Sequence, residues 1–249
     1  MKLLYILTLL LIFISCKKKS ETKFSTYELR LTDSPGMYQN LFIDLTSIEV
    51  LVQGKGWVTM DNKFSGQIDL LQYNNGLDLL IANRSFEFCK LIKIRLILGE
   101  NNFIVKNGVF HTLILPLSAQ DGIEIDIDSD LNSIEKVEEW IDIDVGKSVT
   151  EQNDGSFIFN PVIRTFKKEL NGRIKGYVFP FEALPYVQAI KGNDTLTAIP
   201  NEDGFYQFSG LQGAYKLKFI PSIGTYNTII TNPINVTSNQ IQVYDTIIL

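Results

Sequence analysis

The chain has 249 residues, of which 45% are apolar and 20% are charged, and its formal net charge is −5. A mildly acidic chain without a basic stripe lacks the electrostatic footprint of nucleic-acid binding, so we expect no nucleic-acid partner. With only two cysteines, Cys16 and Cys89, the chain cannot build a disulfide framework, and its stability must come from apolar cores.

Residues 1–15 have the composition of a cleavable signal peptide. They carry one cation, Lys2, then an apolar run from Leu3 to Ile14, then the small residue Ser15. This order of charged, apolar and small residues is typical of a secretory signal. The run is too short for a permanent transmembrane helix, which needs ~20 apolar residues. We therefore predict that residues 1–15 are a signal peptide.

The end of this segment carries a candidate lipidation site. Phe13-Ile14-Ser15-Cys16 resembles the lipobox of bacterial lipoproteins, although Phe13 stands where leucine is usual. The resemblance implies that Cys16 is lipidated and becomes the new N-terminus, followed by a tether to residue 23. It also implies a lipid-anchored protein of the cell envelope, in the outer membrane, with its periplasmic or surface orientation left open. The alternative is an ordinary signal peptide in which Cys16 is incidental.

Period-two alternation of apolar and polar residues predicts strands along the first part of the mature chain. The alternation slips in phase at Thr46-Ser47, which indicates a β-bulge. A short helical turn is expected between Leu131 and Glu139. Many short strands separated by turns are typical of a β-sandwich. The expected strands cover residues 27–31, 41–52, 57–60, 68–71, 92–98, 103–105, 112–115, 123–127, 141–145 and 157–159.

A charged, glycine-bearing stretch from Lys167 to Gly172 is suited to a domain boundary. Beyond it the alternation restarts, which indicates a second all-β unit. We therefore expect an all-β chain with two β-sandwich domains, one over residues 24–166 and one over residues 170–249. The strands expected in the second domain cover residues 174–178, 187–190, 195–199, 204–208, 215–220 and 243–249.

Two sets of segments resemble known families. The first set resembles the bacterial lipoprotein family catalogued as domain of unknown function 4382, over about residues 24–166, and includes Leu31-Thr32-Asp33-Ser34-Pro35-Gly36, Ile68-Asp69-Leu70-Leu71 and Asn160-Pro161-Val162-Ile163. The second set resembles the carboxypeptidase-regulatory-like, transthyretin-like β-sandwich and includes Gly172-Arg173-Ile174-Lys175-Gly176-Tyr177-Val178 and Asp203-Gly204-Phe205-Tyr206-Gln207-Phe208. Neither family brings a catalytic residue, so these resemblances imply fold and location rather than an activity.

Candidate catalytic residues are few. His111 is the only histidine, so a zinc site or a histidine-based triad would have to be built around it alone. Cys89 lies in the segment Phe86-Glu87-Phe88-Cys89-Lys90-Leu91, where a buried, inert thiol is expected. The sequence contains no nucleophile elbow, phosphate-binding loop or dinucleotide glycine pattern. We therefore expect no enzyme, and the alternative is an enzyme or enzyme accessory that acts on glycans or peptides.

One acidic strand is a candidate metal site. Glu124, Asp126 and Asp128 alternate with isoleucines, and Asp130 follows. Clustered carboxylate oxygens are the ligands that calcium requires, so Asp126, Asp128 and Asp130 are a candidate calcium site. The alternative is a solvated strand face that is protected against edge pairing. No other cofactor is expected.

Aromatic side chains offer a candidate glycan-stacking platform, and their alternative role is to fill the cores of the sandwiches. Surface exposure distinguishes these two roles. The candidates are Trp57, Trp140, Tyr177, Phe179, Phe181, Tyr186, Phe205, Tyr206 and Tyr215. We therefore expect a non-catalytic, membrane-anchored envelope lipoprotein that acts in binding, adhesion or structure, with a glycan or a protein as its ligand.

Lipidation at Cys16 is directly testable. Metabolic labelling with palmitate should mark the wild-type chain, and Cys16→Ala should abolish the label because it removes the thiol that the lipid would modify. Equal label in both proteins would rule out Cys16 as the lipidation site.

Overall fold

The structure is a computed structural model that describes residues 23–132 and 134–249. The predicted signal peptide and Cys16 lie outside these ranges. No helix within them is long and apolar enough to cross a membrane. The described chain is built mainly of β-strands, as the sequence predicts, and these form two β-rich regions.

The first β region, residues 24–167, consists of two facing sheets. The α-helical segments are single turns, α1 (Leu117–Gln120) and α2 (Val145–Ser148). The strands are β1 (Phe24–Ser34), β2 (Asn40–Val52), β3 (Gly56–Thr59), β4 (Asp61–Asn62), β5 (Gly66–Asp69), β6 (Leu79–Glu87), β7 (Lys90–Leu98), β8 (Phe103–Lys106), β9 (Val109–Ile114), β10 (Ile123–Asp130), β11 (Lys136–Asp144), β12 (Val149–Glu151), β13 (Phe157–Phe159) and β14 (Ile163–Lys167).

One sheet has the order β14-β11-β1-β6-β4, and the other follows the path β10-β7-β2-β8-β9-β13-β12, with β3 and β5 also paired to β2. The inward-facing residues of β1 and β2, such as Leu29 and Ile43, belong to one apolar core. Each such fully buried aliphatic side chain contributes ~1.5–3 kcal/mol relative to exposure. The facing sheets are therefore held together by alternating residues, as in the predicted sandwich.

The predicted β-bulge is confirmed. The pairing of β2 with β7 shifts register between Leu45 and Ser47. The shift lets both Leu45 and Ile48 bury their side chains although an odd number of positions separates them. A regular strand would have turned one of these two side chains towards solvent.

Two sequence expectations differ from the structure. The helical turn between Leu131 and Glu139 is wrong, because β11 begins at Lys136 and pairs with both β1 and β14. Val137 and Ile141 are buried in the same core, so the strand period governs this segment. β6 is a strand that the sequence pattern did not predict, and it pairs with β1 and β4.

The second β region, residues 172–249, has its own pair of sheets, ordered β18-β15-β22 and β17-β16-β19-β20, with β23 paired to β15 and β21 to β19. Its apolar core includes Tyr206, Phe208 and Phe219 and, among the described residues, has no member in common with the first core. The strands are β15 (Gly172–Phe179), β16 (Tyr186–Lys191), β17 (Asp194–Ala198), β18 (Phe205–Leu211), β19 (Gly213–Ile220), β20 (Ile229–Ile230), β21 (Ile234–Val236), β22 (Ile241–Val243) and β23 (Ile247–Ile248).

We predict that residues 170–249 fold without the first region, because their core is separate. The purified segment should give one cooperative thermal transition. Phe208→Ala should cost ~3–5 kcal/mol because the ring is buried in that core. A loss of this size would leave only ~0–2 kcal/mol of a total stability of ~5 kcal/mol, so the thermal midpoint of the segment should fall steeply.

The matched control is Tyr177→Ala, which removes an exposed aromatic side chain from the same region and should leave the transition nearly unchanged. A segment without any cooperative transition would show that the boundary at Lys167 to Gly172 cuts through one folding unit.

Candidate ligand cleft between the two β regions

The two β regions meet where edge strands of the second region face side chains of the first. β17 and β18 each lie at the edge of their sheet, and an edge strand leaves backbone N–H and C=O groups without strand partners. Arg164 on β14 donates to the carbonyl oxygens of Ser209 (2.7 Å) and Gly210 (3.2 Å) at β18. Lys147 on α2 donates to the carbonyl oxygen of Thr195 on β17, at 2.5 Å.

An ion pair holds Arg164 in this position. Its Nη2 lies 2.5 Å from Oδ2 of Asp142, whose side chain is almost fully buried. Ser34 at the end of β1 donates its hydroxyl to the same carboxylate, at 3.2 Å. The buried carboxylate is thereby paired and hydrogen-bonded, which offsets the cost of removing its charge from water.

A tight turn of the first region completes the junction. Asn75 donates its side-chain N–H to the carbonyl oxygen of Ile199 (2.8 Å) and accepts the backbone N–H of Gln207 (3.1 Å). Gly76 follows with a φ of +89°, and a Cβ at this position would lie 2.1 Å from the side chain of Gln207. The turn therefore requires glycine both for its conformation and for its close approach to β18.

Two adjoining cavities open at this junction, and we call them together the cleft. The smaller has a volume of about 290 Å³ and the larger about 660 Å³. Asp144, Lys147 and Thr195 line both of them. Small-molecule sites commonly have volumes of ~300–1,000 Å³ and lie between structural units. The cleft thus has the size and position of a binding site.

Ion pairs within the protein engage the cations of the cleft. Lys147 contacts the carboxylate of Asp144 at 2.8 Å, and Lys106 contacts that of Glu151 at 2.5 Å. Arg164 is paired with Asp142. Asp194 also lines the smaller cavity, and it forms no ion pair within the described ranges. The cleft therefore presents little free positive charge.

Asp33 is the least satisfied polar side chain near the junction. It continues the core-facing series of β1 and is 6% exposed. Neither of its carboxylate oxygens has a hydrogen-bond partner among the described residues. It lines a cavity of about 20 Å³ between the regions, which is large enough for one water molecule.

The surroundings of Asp33 favour its neutral form. Burial raises the pKa of Asp33 well above its usual range, and the nearby carboxylates of Asp142, Asp144 and Asp69 raise it further. The backbone N–H of Val145 acts in the opposite direction, without reaching ordinary hydrogen-bond geometry. Asp33 is thus an internal acid beside the ionic junction, and its cavity is too small to admit a substrate.

The predicted calcium ligands lie elsewhere, on the exposed face of β10. Lys93 pairs with Asp126 at 3.5 Å and Lys90 with Asp128 at 2.6 Å, whereas Asp130 accepts the backbone N–H of Asn132. Within residues 23–132 and 134–249, no group of three or more histidine, cysteine or acidic residues is placed to hold a metal ion. The geometry adds no support to the calcium site, which stays a prediction.

The two candidate nucleophile or base residues lie on different strands or turns of the first region. His111 on β9 packs its ring 4.8 Å from that of Phe157. Cys89 lies in the turn between β6 and β7 and is partly buried, and this burial raises the pKa of its thiol. Neither residue lines the cleft.

The candidate aromatic platform is divided between different sites. Tyr177, Phe179 and Phe181 are exposed, whereas Tyr206 and Tyr215 are buried. The other four, Trp57, Trp140, Tyr186 and Phe205, are half-buried. Only two of the nine, Tyr186 and Tyr215, line the cleft.

Sequence reasoning missed the residues that build the junction. Asp142 and Asp144 alternate with isoleucine and valine along the predicted strand 141–145, but nothing in the local sequence pairs them with Arg164 or Lys147. Asp33 belongs to the turn-like segment Leu31-Thr32-Asp33-Ser34-Pro35-Gly36, where an exposed turn residue is the ordinary expectation. The sequence did contain one signal for its burial: Asp33 comes two residues after Leu31, in phase with the core-facing residues of the same strand.

Comparisons with known proteins identify the first region. The sequence model of the family described as "Domain of unknown function (DUF4382)" matches residues 24–161, more than half of the chain. The match does not extend into the second β region. No curated protein sequence matches the chain.

Solved structures are similar only at a low level. The Bacillus anthracis TIE protein is 11% identical, with a TM-score of 0.25, over 90% of this chain and 34% of its own. A leucine-rich repeat protein from Bacteroides thetaiotaomicron VPI-5482 is 10% identical, with a TM-score of 0.22, over 91% of this chain and 26% of its own. BcpA, the major pilin subunit of Bacillus cereus, is 11% identical, with a TM-score of 0.22, over 91% of this chain and 99% of its own. The chain thus spans about a third and a quarter of the first two proteins, and at these scores the likenesses support no functional argument.

The raised pKa of Asp33 predicts a specific pH dependence of stability. Below pH ~4 the carboxyl is protonated in both the folded and the unfolded chain. As the pH rises, the unfolded chain loses this proton while the folded chain retains it, so the free energy of unfolding falls. Asp33→Asn removes this penalty and should raise the melting temperature by several degrees at pH 7, with a smaller gain towards pH 3.

The control is Asp121→Asn, which changes an exposed carboxylate in a turn and should leave the melting temperature nearly unchanged at both pH values. A destabilised Asp33→Asn protein at pH 7 would show that the ionised carboxylate is needed in the folded state.

Proposed function

The chain belongs to the DUF4382 family, and we propose that it is a non-catalytic, membrane-anchored lipoprotein of the cell envelope that binds a ligand in the cleft between its two β regions. The membrane anchorage is supported by the signal and lipobox pattern of residues 1–16. A diacylated or triacylated cysteine would anchor the chain stably, because two or more acyl chains are needed for lasting attachment. The outer membrane is the proposed site of attachment.

We also propose that the second β region is a carboxypeptidase-regulatory-like, transthyretin-like sandwich. This assignment is supported by the two resembling segments, which form β15 and β18. These strands are antiparallel neighbours. Such a module would contribute one wall of the cleft without contributing a catalytic residue.

The cleft is the single observation that carries the binding function. Both β regions line it, so a ligand placed there would contact the two together. Side chains of the first region fix the edge strands that form its wall. A wall that is fixed before binding loses little conformational entropy when the ligand arrives.

The competing function is an enzyme that acts on glycans or peptides. The observation in its favour is that several carboxylates lie close together at the junction. Hydrolysis of a glycoside needs one protonated and one ionised carboxyl group that both reach the substrate. Asp33 has the raised pKa of an acid but lines a cavity of only about 20 Å³. Asp142 and Asp144 already form ion pairs with Arg164 and Lys147. The arrangement therefore supports binding better than catalysis.

The proposal is tested with soluble probes of several classes and a variant that fills the cleft. The full-length chain, purified in detergent, is titrated with neutral oligosaccharides, acidic oligosaccharides and short peptides while its melting temperature is followed. At tenfold excess over Kd, a ligand stabilises the folded state by about 1.4 kcal/mol, which should raise the melting temperature by ~3–6 °C. Thr195→Trp, which places an indole between the two cavities, should abolish this shift.

The matched control is Thr112→Trp, which adds the same side chain to an exposed strand position outside the cleft and should preserve the shift. If no probe of any class stabilises the wild-type chain, the proposed binding function is wrong. If mass spectrometry finds cleavage products of a bound probe, the protein is an enzyme rather than a binding protein.

A further inference from the structure

We propose that the ligand of the cleft is a neutral oligosaccharide chain, an inference that rests on the binding function proposed above and names its ligand class. Four properties of the cleft bear on its ligand: its charge, its free hydrogen-bonding groups, its aromatic rings and the hydrogen bonds already made by its edge strand. Each of these narrows the class of ligand.

The charges of the cleft disfavour an anionic ligand. Arg164, Lys106 and Lys147 are each held by a carboxylate of the protein. Each of these cations is balanced by its carboxylate partner, so a phosphate or a uronate would gain little net electrostatic attraction in the cleft. Asp194 adds a further negative charge to the smaller cavity. The ligand should therefore carry no negative charge.

Neutral polar groups of the larger cavity are free to bind a ligand. Gln188, Thr195 and Thr197 line it, and their side chains form no hydrogen bonds with other described residues. Gln188 and Thr197 lie directly opposite each other in the pairing of β16 with β17. An amide both donates and accepts, and each hydroxyl does the same. Such groups match the hydroxyls of a sugar, which also donate and accept.

Two tyrosine rings supply the apolar part of the same cavity. Tyr38 comes from the loop after β1 and Tyr186 from β16, so each β region contributes one ring. Both side chains are half-buried, which leaves part of each available to a ligand. Rings with an apolar face and a polar tip suit a ligand whose own faces are C–H-rich and whose edge is hydroxylated.

The edge strand of the cleft is poorly suited to a peptide. A peptide usually binds such an edge by adding a strand, which needs the outward backbone groups of β17. The carbonyl oxygen of Thr195 already accepts from Lys147, and that of Ile199, directly after β17, accepts from Asn75. A peptide would have to displace both side chains. A sugar that binds through Gln188 and the threonine hydroxyls leaves them in place.

The test measures affinity by titration calorimetry on the full-length chain in detergent. The probes are neutral hexasaccharides of glucose, mannose, galactose, xylose and N-acetylglucosamine, with hexagalacturonate and a neutral hexapeptide for comparison. At least one neutral hexasaccharide should bind with millimolar or tighter affinity. Tyr186→Ala should weaken that binding about tenfold or more, whereas Tyr186→Phe, which keeps the ring, should weaken it less than threefold.

The matched control is Tyr177→Ala, which removes an exposed tyrosine of the second region that does not line the cleft and should change the affinity less than twofold. Each variant must keep the wild-type melting temperature within two degrees. Thr197→Val is a second, smaller change: it removes one hydroxyl from the larger cavity and should weaken binding several-fold. If only the hexapeptide or hexagalacturonate binds, and Thr195→Trp abolishes that binding, the proposal of a neutral oligosaccharide ligand is wrong but the proposed binding function stands. Binding of none of the probes would overturn both.

Discussion

The unpaired edges of β17 and β18 impose the constraint on which the junction depends. Both strands end their sheets, and their outward backbone groups need partners that no strand provides. Arg164, Lys147 and Asn75 supply these partners from the first β region. Directional hydrogen bonds thus join the two regions at separate points, and the cavities lie between these points of contact.

This type of contact brings buried charge with it. Arg164 can donate to two carbonyl groups because Asp142 fixes its guanidinium from the other side. A second carboxyl group, Asp33, lies close enough for the charge of Asp142 to raise its pKa. An apolar junction of the same size would avoid these desolvation costs, but it would fill the space that the cleft occupies.

Much of the fold could be predicted from the sequence because strand alternation is local. The phase slip at Thr46-Ser47 predicted the bulge of β2, and the alternating acids of β10 are exposed opposite buried Ile125 and Ile127. The prediction of a helical turn between Leu131 and Glu139 was wrong because the acidic residues of this segment resemble the polar face of a helix. β11 is a strand through its pairing with β1 and β14, which only the tertiary structure provides.

The candidate site could hardly be predicted at all. Asp142 and Arg164 are close in sequence, but they become partners only when β11 and β14 pair in an antiparallel register. Tyr38 and Tyr186 lie in different regions and line one cavity only after the regions meet.

The direction of β1 determines how far the cleft stands from the point where the chain enters the fold. β1 begins at Phe24 and ends at Ser34, which lines the smaller cavity. A strand of this length covers roughly 33 Å. This distance is similar to the thickness of a bilayer's hydrocarbon core, ~30 Å. If Cys16 carries the proposed lipid, the length of β1 together with the tether before it sets the greatest height at which the cleft can stand above the bilayer.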